Sequence, residues 1–250
     1  MLRFLQRGIA RILLACSAAC AATGPAQLPS DAVPGDARQA VLVVTPSWRS
    51  TDALLQRWER DGRGAWRPAA APVRATVGRS GMGWGLGLHP AGDGPQKREG
   101  DGRSPAGVFR IGYAFGYAPT APPEVRVAYR GADERDYFVD DPASVDYNRW
   151  RRIPKGEPNA PEQRWRSWEH MRRDDDAYEL GLLIEHNPLA VPGAGSAIFL
   201  HLWSAPGAPT SGCTALARDD VAKLLRWLDP SAAPVLVQAP AAALAGLRLR

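Results

Sequence analysis

The residues best suited to chemistry lie in one stretch of the sequence, residues 196–220. An apolar run leads directly to His201, and a Gly/Pro-rich loop then leads to Cys213, twelve residues later. A thiolate is a strong nucleophile, and a neighbouring imidazole can take the proton that a thiol must lose. Twelve residues are enough for the end of a strand to fold back over a loop. The pattern therefore predicts nucleophilic catalysis by Cys213, with His201 as the base that takes its proton.

The first 22 residues have the pattern of a secretory signal peptide. Three arginines precede a short apolar stretch, residues 12–22, which contains small residues suited to a cleavage site. That stretch is shorter than the roughly 20 residues that a membrane-spanning helix needs. We therefore expect removal of residues 1–22 and secretion to the periplasm or cell envelope. An uncleaved N-terminal anchor and lipidation at Cys16 or Cys20 are the alternatives.

Removal of this segment would leave Cys213 as the single cysteine of the mature chain. A lone thiol in an oxidising compartment cannot form an intrachain disulfide, so it is either a small buried residue or a reactive group. Gly212 before it and His201 upstream favour the reactive interpretation. Because glycine permits a tight backbone path, the amide of Gly212 or Cys213, with Ser211 beside them, is a candidate for oxyanion support.

Composition narrows the remaining classes of function. The net charge is +5 and the pI about 9.4, but no basic block contains interleaved aromatic residues, so nucleic-acid binding is not expected. A basic, Trp-rich segment, residues 149–173, could stack against sugars, although packing of these tryptophans is the simpler interpretation. The carboxylates at 174–176 are consecutive and do not share one face, so a solvated turn is favoured over a metal site.

Apolar patterning predicts short strands joined by turns, with one clear helix. The predicted strands are 41–44, 73–77, 108–111, 180–185 and 235–237, with a half-buried strand through 125–129. A helix should begin at Asp219, because apolar residues recur at 221, 224, 225 and 228. A short helix is also expected after Ser50. His186 and Asn187 follow the 180–185 run and could support His201, whereas His89 and His170 receive no role.

Three motifs in this order give the chain a family resemblance. They are a Lys97-to-Phe109 segment containing Glu99-Gly100-Asp101 and Ser104-Pro105-Ala106-Gly107, then Asn187 with Pro192-Gly193 and the 195–201 run, then Gly212-Cys213 before a helix. Over roughly residues 40–238 the chain resembles the L,D-transpeptidase catalytic domain, the YkuD-like family.

The resemblance implies a mainly β fold, a β-rich α+β sandwich or barrel with a few short helices, one of them after the cysteine. It implies a catalytic domain at 40–239, with a flexible tether at 23–39 and a C-terminal tail at 240–250. Cys213 would attack a peptidoglycan tetrapeptide stem between a diamino acid and the terminal D-Ala. The thioester would pass to an amine of a neighbouring stem, and neither a metal nor an organic cofactor would be needed.

One departure from the family pattern is plain in the sequence. The common motif reads Ser-His-Gly-Cys, with Arg or Asn two residues later, whereas this chain has Ser211 and Ala215 at those positions. Arg218 is a candidate for the missing charge. The residues alone leave two alternatives to a transpeptidase: an L,D-carboxypeptidase or amidase on the same scaffold, and a non-catalytic wall-binding module. They leave the oligomeric state open.

Overall fold

The computed structural model describes residues 27–90 and 92–249. The predicted signal peptide and the first residues of the predicted tether lie outside this part of the chain. The strands are β1 (Gln39–Thr45), β2 (Asp52–Arg60), β3 (Trp66–Pro68), β4 (Val73–Thr76), β5 (Met82–Trp84), β6 (Ser104–Gly116), β7 (Tyr129–Gly131), β8 (Asp136–Val139), β9 (Arg149–Arg152), β10 (Trp168–His170), β11 (Leu180–Ile184), β12 (Phe199–Leu202), β13 (Thr214–Leu216) and β14 (Val235–Pro240). The helices are α1 (Arg218–Trp227) and α2 (Ala241–Leu244). The predicted mainly β fold with a few short helices is confirmed.

Eight strands form a closed barrel in the order β1-β14-β6-β11-β12-β13-β4-β2, and β2 pairs back onto β1. Most neighbours are antiparallel, but β1 and β14 are parallel, as are β12 and β13. β3 extends the sheet from β2, while β5 and β7 pair with β6. Closure leaves these eight strands without a free edge. No helix in the described residues is long and apolar enough to cross a membrane.

The core of the barrel is formed by apolar side chains on both faces of its central strands: Leu42 and Val237 are paired on one face, and Phe109, which is opposite Leu236, lies on the other. Segments at both ends of the described chain also pack on this core. Leu28 and Val33 are buried in it, and so is Leu247 beyond α2. Part of the predicted tether and of the predicted tail therefore belongs to the folded unit.

The short helix expected after Ser50 is wrong, because that segment is strand β2. Ala53 and Leu55 are buried while Leu54 between them is 53% exposed, which is the alternation of a strand. β2 pairs with β1 on one side and with β4 on the other. Backbone pairing on both sides therefore overrides the weak helical spacing of the apolar residues.

The strand expected through 125–129 is wrong for its first part. The Val125 N–H donates to the Pro122 carbonyl at 3.0 Å, so this part of the chain is a turn, and β7 begins only at Tyr129. The chain then forms a second, three-stranded antiparallel sheet in the order β10-β8-β9. This second sheet supplies one wall of the site described below.

Helix α1 follows the cysteine as expected. Val221, Leu224 and Leu225 are buried on one face, in the predicted spacing. Asp219 and Asp220 lie in the first turn, where negative charge is favourable next to the positive end of the helix dipole. The chain leaves the helix after Trp227, just before an Asp-Pro pair.

Candidate active site

Two neighbouring strands place His201 and Cys213 close together. His201 lies in β12, Cys213 immediately precedes β13, and the strands are parallel with Leu200 opposite Thr214. One position earlier, the Phe199 N–H donates to Cys213 Sγ at 3.3 Å. Because alternate residues of a strand point to the same side, Phe199 and His201 share a face of the sheet. Backbone pairing thus brings the candidate nucleophile and the candidate base to one end of the same ladder.

Both side chains line one cavity of about 490 Å³. They are mostly buried, with 8% of His201 and 6% of Cys213 exposed, so solvent and ligands reach them only through this cavity. A larger cavity, about 1080 Å³, lies between residues 27–31 and α2 and includes neither residue. The smaller cavity is therefore the one that contains groups able to do covalent chemistry.

The thiol is held in its protonated form. Cys213 Sγ donates to the Ala197 carbonyl at 3.4 Å, and Ala197 itself has a left-handed backbone, with φ of 51°. Burial raises the pKa of Cys213 well above its ordinary value, and the nearby Glu169 carboxylate raises it further. The sulfur is therefore a neutral thiol at neutral pH.

The imidazole is neutral as well. Burial lowers the pKa of His201 to about 4, even though a hydrogen bond to the Leu202 carbonyl opposes the shift. His201 Nδ1 lies 2.6 Å from that carbonyl oxygen, which can only accept, so Nδ1 carries the hydrogen. In this tautomer Nε2 carries the lone pair. The ring of Tyr178 packs edge-on against His201 with centroids 5.2 Å apart, which fixes its orientation.

Hydroxyl groups fix the loop that presents the cysteine. The Cys213 carbonyl accepts from Thr210 Oγ1 at 2.6 Å and from Ser104 Oγ at 2.8 Å. Thr210 Oγ1 also accepts the Gly212 N–H at 3.1 Å. Of the two amides considered as oxyanion donors, that of Gly212 is thus engaged within the loop, which leaves the Cys213 N–H as the candidate.

The model of the L,D-transpeptidase catalytic domain, named YkuD, matches residues 49–237. This chain belongs to the L,D-transpeptidase family. The match includes both His201 and Cys213 and runs from before β2 into β14. No curated protein matches the chain.

In this member of the L,D-transpeptidase family, an arginine lies beside the position of the missing motif histidine. Arg79 Nη1 donates to Ser211 Oγ at 3.0 Å, and both residues line the cavity. Arg218 was the expected replacement charge, but its guanidinium pairs with Glu179 through contacts of 2.5 and 2.9 Å. That expectation is wrong, because Arg218 is neutralised and does not line the cavity, whereas Arg79 and Arg173 do.

His186 and Asn187 make hydrogen bonds that hold the loop preceding β12. His186 Nδ1 accepts the Leu86 N–H at 3.2 Å, and its Nε2 lies 3.0 Å from the Ala194 carbonyl. Burial lowers the pKa of His186 to about 4. The Asn187 amide donates to the carbonyls of Val191 and Gly195, so it closes the 187–195 turn. These residues shape the approach to β12.

A hydrogen-bond network around Glu99, which the sequence did not predict, anchors the chain just before β12. Glu99 lines the cavity and accepts hydrogen bonds from the Tyr147 hydroxyl at 2.5 Å and from Ser196 Oγ at 2.7 Å. Asn148 Oδ1 accepts the Ala197 N–H at 3.2 Å. Tyr147 and Asn148 come from a turn between β8 and β9, so no local spacing signalled their role.

The tryptophans of the basic segment, residues 149–173, mostly pack inside the protein. Trp150 and Trp165 are buried, which favours the packing interpretation, while Trp168 of β10 is half-buried and lines the cavity. His170 stacks on the ring of Tyr137 and also lines the cavity. His89 is buried and its Nδ1 accepts the Val108 N–H at 3.0 Å.

No group of three or more His, Cys, Asp or Glu side chains within residues 27–90 and 92–249 is arranged to hold a metal ion. In the 174–176 run, Asp175 caps a single 3-10 turn by accepting the Ala177 N–H at 3.0 Å. It also pairs with Arg173. These carboxylates therefore serve local structure at the edge of the cavity.

Proposed function

We propose that this L,D-transpeptidase family member is a peptidoglycan transpeptidase that forms a thioester on Cys213. The observation that carries the proposal is the shared cavity, which one thiol and one imidazole both line from paired strands. The substrate class is the tetrapeptide stem of peptidoglycan, cut between the diamino acid and the terminal D-Ala.

The first half-reaction forms the acyl-enzyme. His201 takes the Cys213 proton as sulfur attacks the peptide carbonyl, and the Cys213 N–H stabilises the oxyanion. The C–N bond then breaks, and His201 returns the proton to the leaving D-Ala amine. Burial disfavours both the free thiolate and the free imidazolium, so proton transfer should be concerted with attack. This arrangement also protects the resting thiol, because the thiolate is the form that oxidises.

The second half-reaction regenerates the enzyme. An amine of a neighbouring stem attacks the thioester, the C–S bond breaks, and the proton lost by nitrogen reaches sulfur through His201. If water replaces the amine, the product is a shortened stem. The same residues would then make the protein an L,D-carboxypeptidase, so the acceptor decides between these activities.

Purified tetrapeptide muropeptides provide the test. The protein is incubated with these muropeptides, the Cys213→Ala variant is treated in parallel as a control, and the products are separated and identified by mass spectrometry. Cross-linked dimers with release of D-Ala support the transpeptidase. Tripeptide monomers, formed in the same amount as the released D-Ala, would show that the protein is an L,D-carboxypeptidase instead. The absence of any product would contradict both activities.

A non-catalytic wall-binding module is the remaining alternative. Carbapenems acylate the nucleophilic cysteine of proteins that the chain resembles, so the intact mass after incubation with a carbapenem separates the two cases. A stoichiometric adduct supports an active thiol, whereas an unchanged mass together with binding to cell-wall sacculi would support the binding module. We also propose secretion to the periplasm or cell envelope, which the pattern of residues 1–22 supports.

A further inference from the structure

Glu169 belongs to the wall of the cavity that contains His201 and Cys213. It lies in β10, and the hydroxyl of Tyr178 donates a hydrogen bond to its carboxylate. The same Tyr178 ring packs against His201 and, with centroids 5.4 Å apart, against Phe199. None of the steps proposed above uses Glu169, although it lies in the same cavity as the reacting groups.

The cation that acts most strongly on Glu169 is already paired with another carboxylate. Besides burial, the main electrostatic influences on Glu169 come from Tyr178, Asp140, Arg173 and Glu99, and Glu169 in turn acts on Cys213. Arg173 is the one cation among them, and two hydrogen bonds of 2.8 and 2.9 Å already commit its guanidinium to Asp175. Burial therefore dominates and raises the pKa of Glu169 to about 7, where a carboxylate can both take and release a proton.

Asp140 adds an unused acceptor to the same wall. It follows β8 and lines the cavity, and its Oδ1 is buried without a hydrogen-bond partner within residues 27–90 and 92–249. A buried carboxylate oxygen without a donor is costly unless a ligand supplies one. A cationic N–H donor is the chemical group that would complement Asp140 and Glu169 together.

The second half-reaction needs such a group, because its acceptor is an amine. An alkyl amine resembling that of Lys has a pKa of about 10.4, so it arrives as an ammonium without a lone pair. It must lose one proton before it attacks and a second as the amide forms. His201 can carry the second proton, because that transfer accompanies cleavage of the C–S bond. The first proton must leave before any bond forms, and with a pKa of about 4 His201 is too weak a base to remove it unaided.

We propose that Glu169 receives the acceptor amine, binding its ammonium together with Asp140 and accepting its first proton. The ammonium and the Glu169 carboxylate become a neutral amine and a carboxylic acid. The amine nitrogen attacks the thioester carbon, the C–S bond breaks, and the second proton passes through His201 to sulfur. Glu169 then releases its proton to solvent. This assignment rests on the proposed function and specifies its acceptor.

Water as acceptor does not need this step, because it attacks without first losing a proton to a second base. Loss of the Glu169 carboxylate should therefore impair aminolysis and spare hydrolysis. It should also spare acylation, because the Glu169 charge raises the pKa of Cys213 and its removal makes the thiol no harder to ionise. The ratio of dimer to tripeptide is thus the sensitive readout.

The experiment uses the full chain with tetrapeptide muropeptides as donor and acceptor, and quantifies D-Ala, dimer and tripeptide over time. Glu169→Gln is compared with the wild type and with Glu185→Gln, an exposed glutamate outside the cavity. We expect dimer formation by Glu169→Gln to fall about 10²–10⁴-fold, the usual contribution of a proton-transfer group. D-Ala release into tripeptide should continue, and Glu185→Gln should behave as the wild type.

Tyr178→Phe gives a second test that keeps the ring against His201. In the wild type, the Tyr178 hydroxyl lowers the pKa of Glu169 through its hydrogen bond, so removal of the hydroxyl should raise that pKa. The dimer-to-tripeptide ratio should then increase at a higher pH than in the wild type. An unchanged ratio in Glu169→Gln, or an equal loss of acylation and aminolysis, would overturn the assignment of Glu169. If Glu169→Gln does not fold, an unshifted pH profile in Tyr178→Phe would overturn it instead. Failure of the wild type to form an acyl-enzyme would instead reject the proposed function.

Discussion

The Ser104 hydroxyl donates to the Cys213 carbonyl at 2.8 Å across 109 positions of the sequence. Ser104 is fully buried at the start of β6, and its oxygen also accepts the Gly78 N–H at 2.9 Å. One side chain thus joins three segments of the barrel at the point where the candidate nucleophile leaves its loop. The position of the sulfur depends on this contact as well as on its own strand.

Replacement of Ser104 by Ala should weaken both the fold and the reaction. The change leaves the Gly78 N–H buried without its acceptor, which costs about 1–3 kcal/mol. Urea unfolding measures this loss, and carbapenem acylation of Cys213 should slow in parallel. Ser30→Ala, at an exposed serine, is the control. Equal stability of the two variants would contradict the anchoring role.

Cys213→Ala should separate folding from reactivity. The side chain packs with Phe199 and Tyr178, so its truncation should cost only about 1–2 kcal/mol of stability, within the usual range for small substitutions. The variant should remain folded by circular dichroism and should gain no mass with a carbapenem. An adduct on this variant would show that another residue is acylated.

His201→Gln should reduce the acylation rate about 10²–10⁴-fold, as expected for a lost general base. In the wild type, the base is active when neutral, and its pKa is about 4. Acylation should therefore stay level as the pH falls from 8 to about 5 and decline only closer to pH 4. Stopped-flow measurements with a chromogenic β-lactam test this profile. A decline centred near pH 6.5 would mean that the imidazole is not buried as described.

The buried histidines should also make the fold sensitive to acid. The pKa values of His186 and His201 are lowered to about 4, below the ordinary value of 6.5 that the unfolded chain should retain. Between pH 6.5 and 4 the unfolded state therefore binds more protons, and stability falls as pH decreases, by at most about 1.4 kcal/mol per unit for each histidine. Urea unfolding at pH 7.5, 5.5 and 4.5 measures the slope. His201→Gln should show a shallower slope than the wild type, and an identical slope would be evidence against the shift.

Local patterns predicted the elements that carry the candidate catalytic pair, His201 and Cys213, but not the wall of the cavity that contains Glu169. The apolar run before His201 and the 221–228 periodicity are local signals, and both corresponded to real elements, β12 and α1. Glu169 and Tyr178 reach the cavity through pairing of β10 with β8 and through a single 3-10 turn. Such contacts join distant segments, so residue spacing could not reveal them. β2 was misread for the same reason, because its partners lie far along the chain.

The parallel ladder of β12 and β13 also has an evolutionary consequence. Main-chain pairing keeps His201 and Cys213 in register, and Thr210 with Gly212 holds the loop just before the cysteine. The connection between the two strands is therefore free to vary only in its earlier part, residues 204–209. That part contributes Ser204, Ala208 and Pro209 to the lining of the cavity, and it can be lengthened, shortened or exchanged without separating His201 from Cys213. Grafting residues 204–209 between members of the family is thus a direct way to reshape the cavity while the paired strands stay in place.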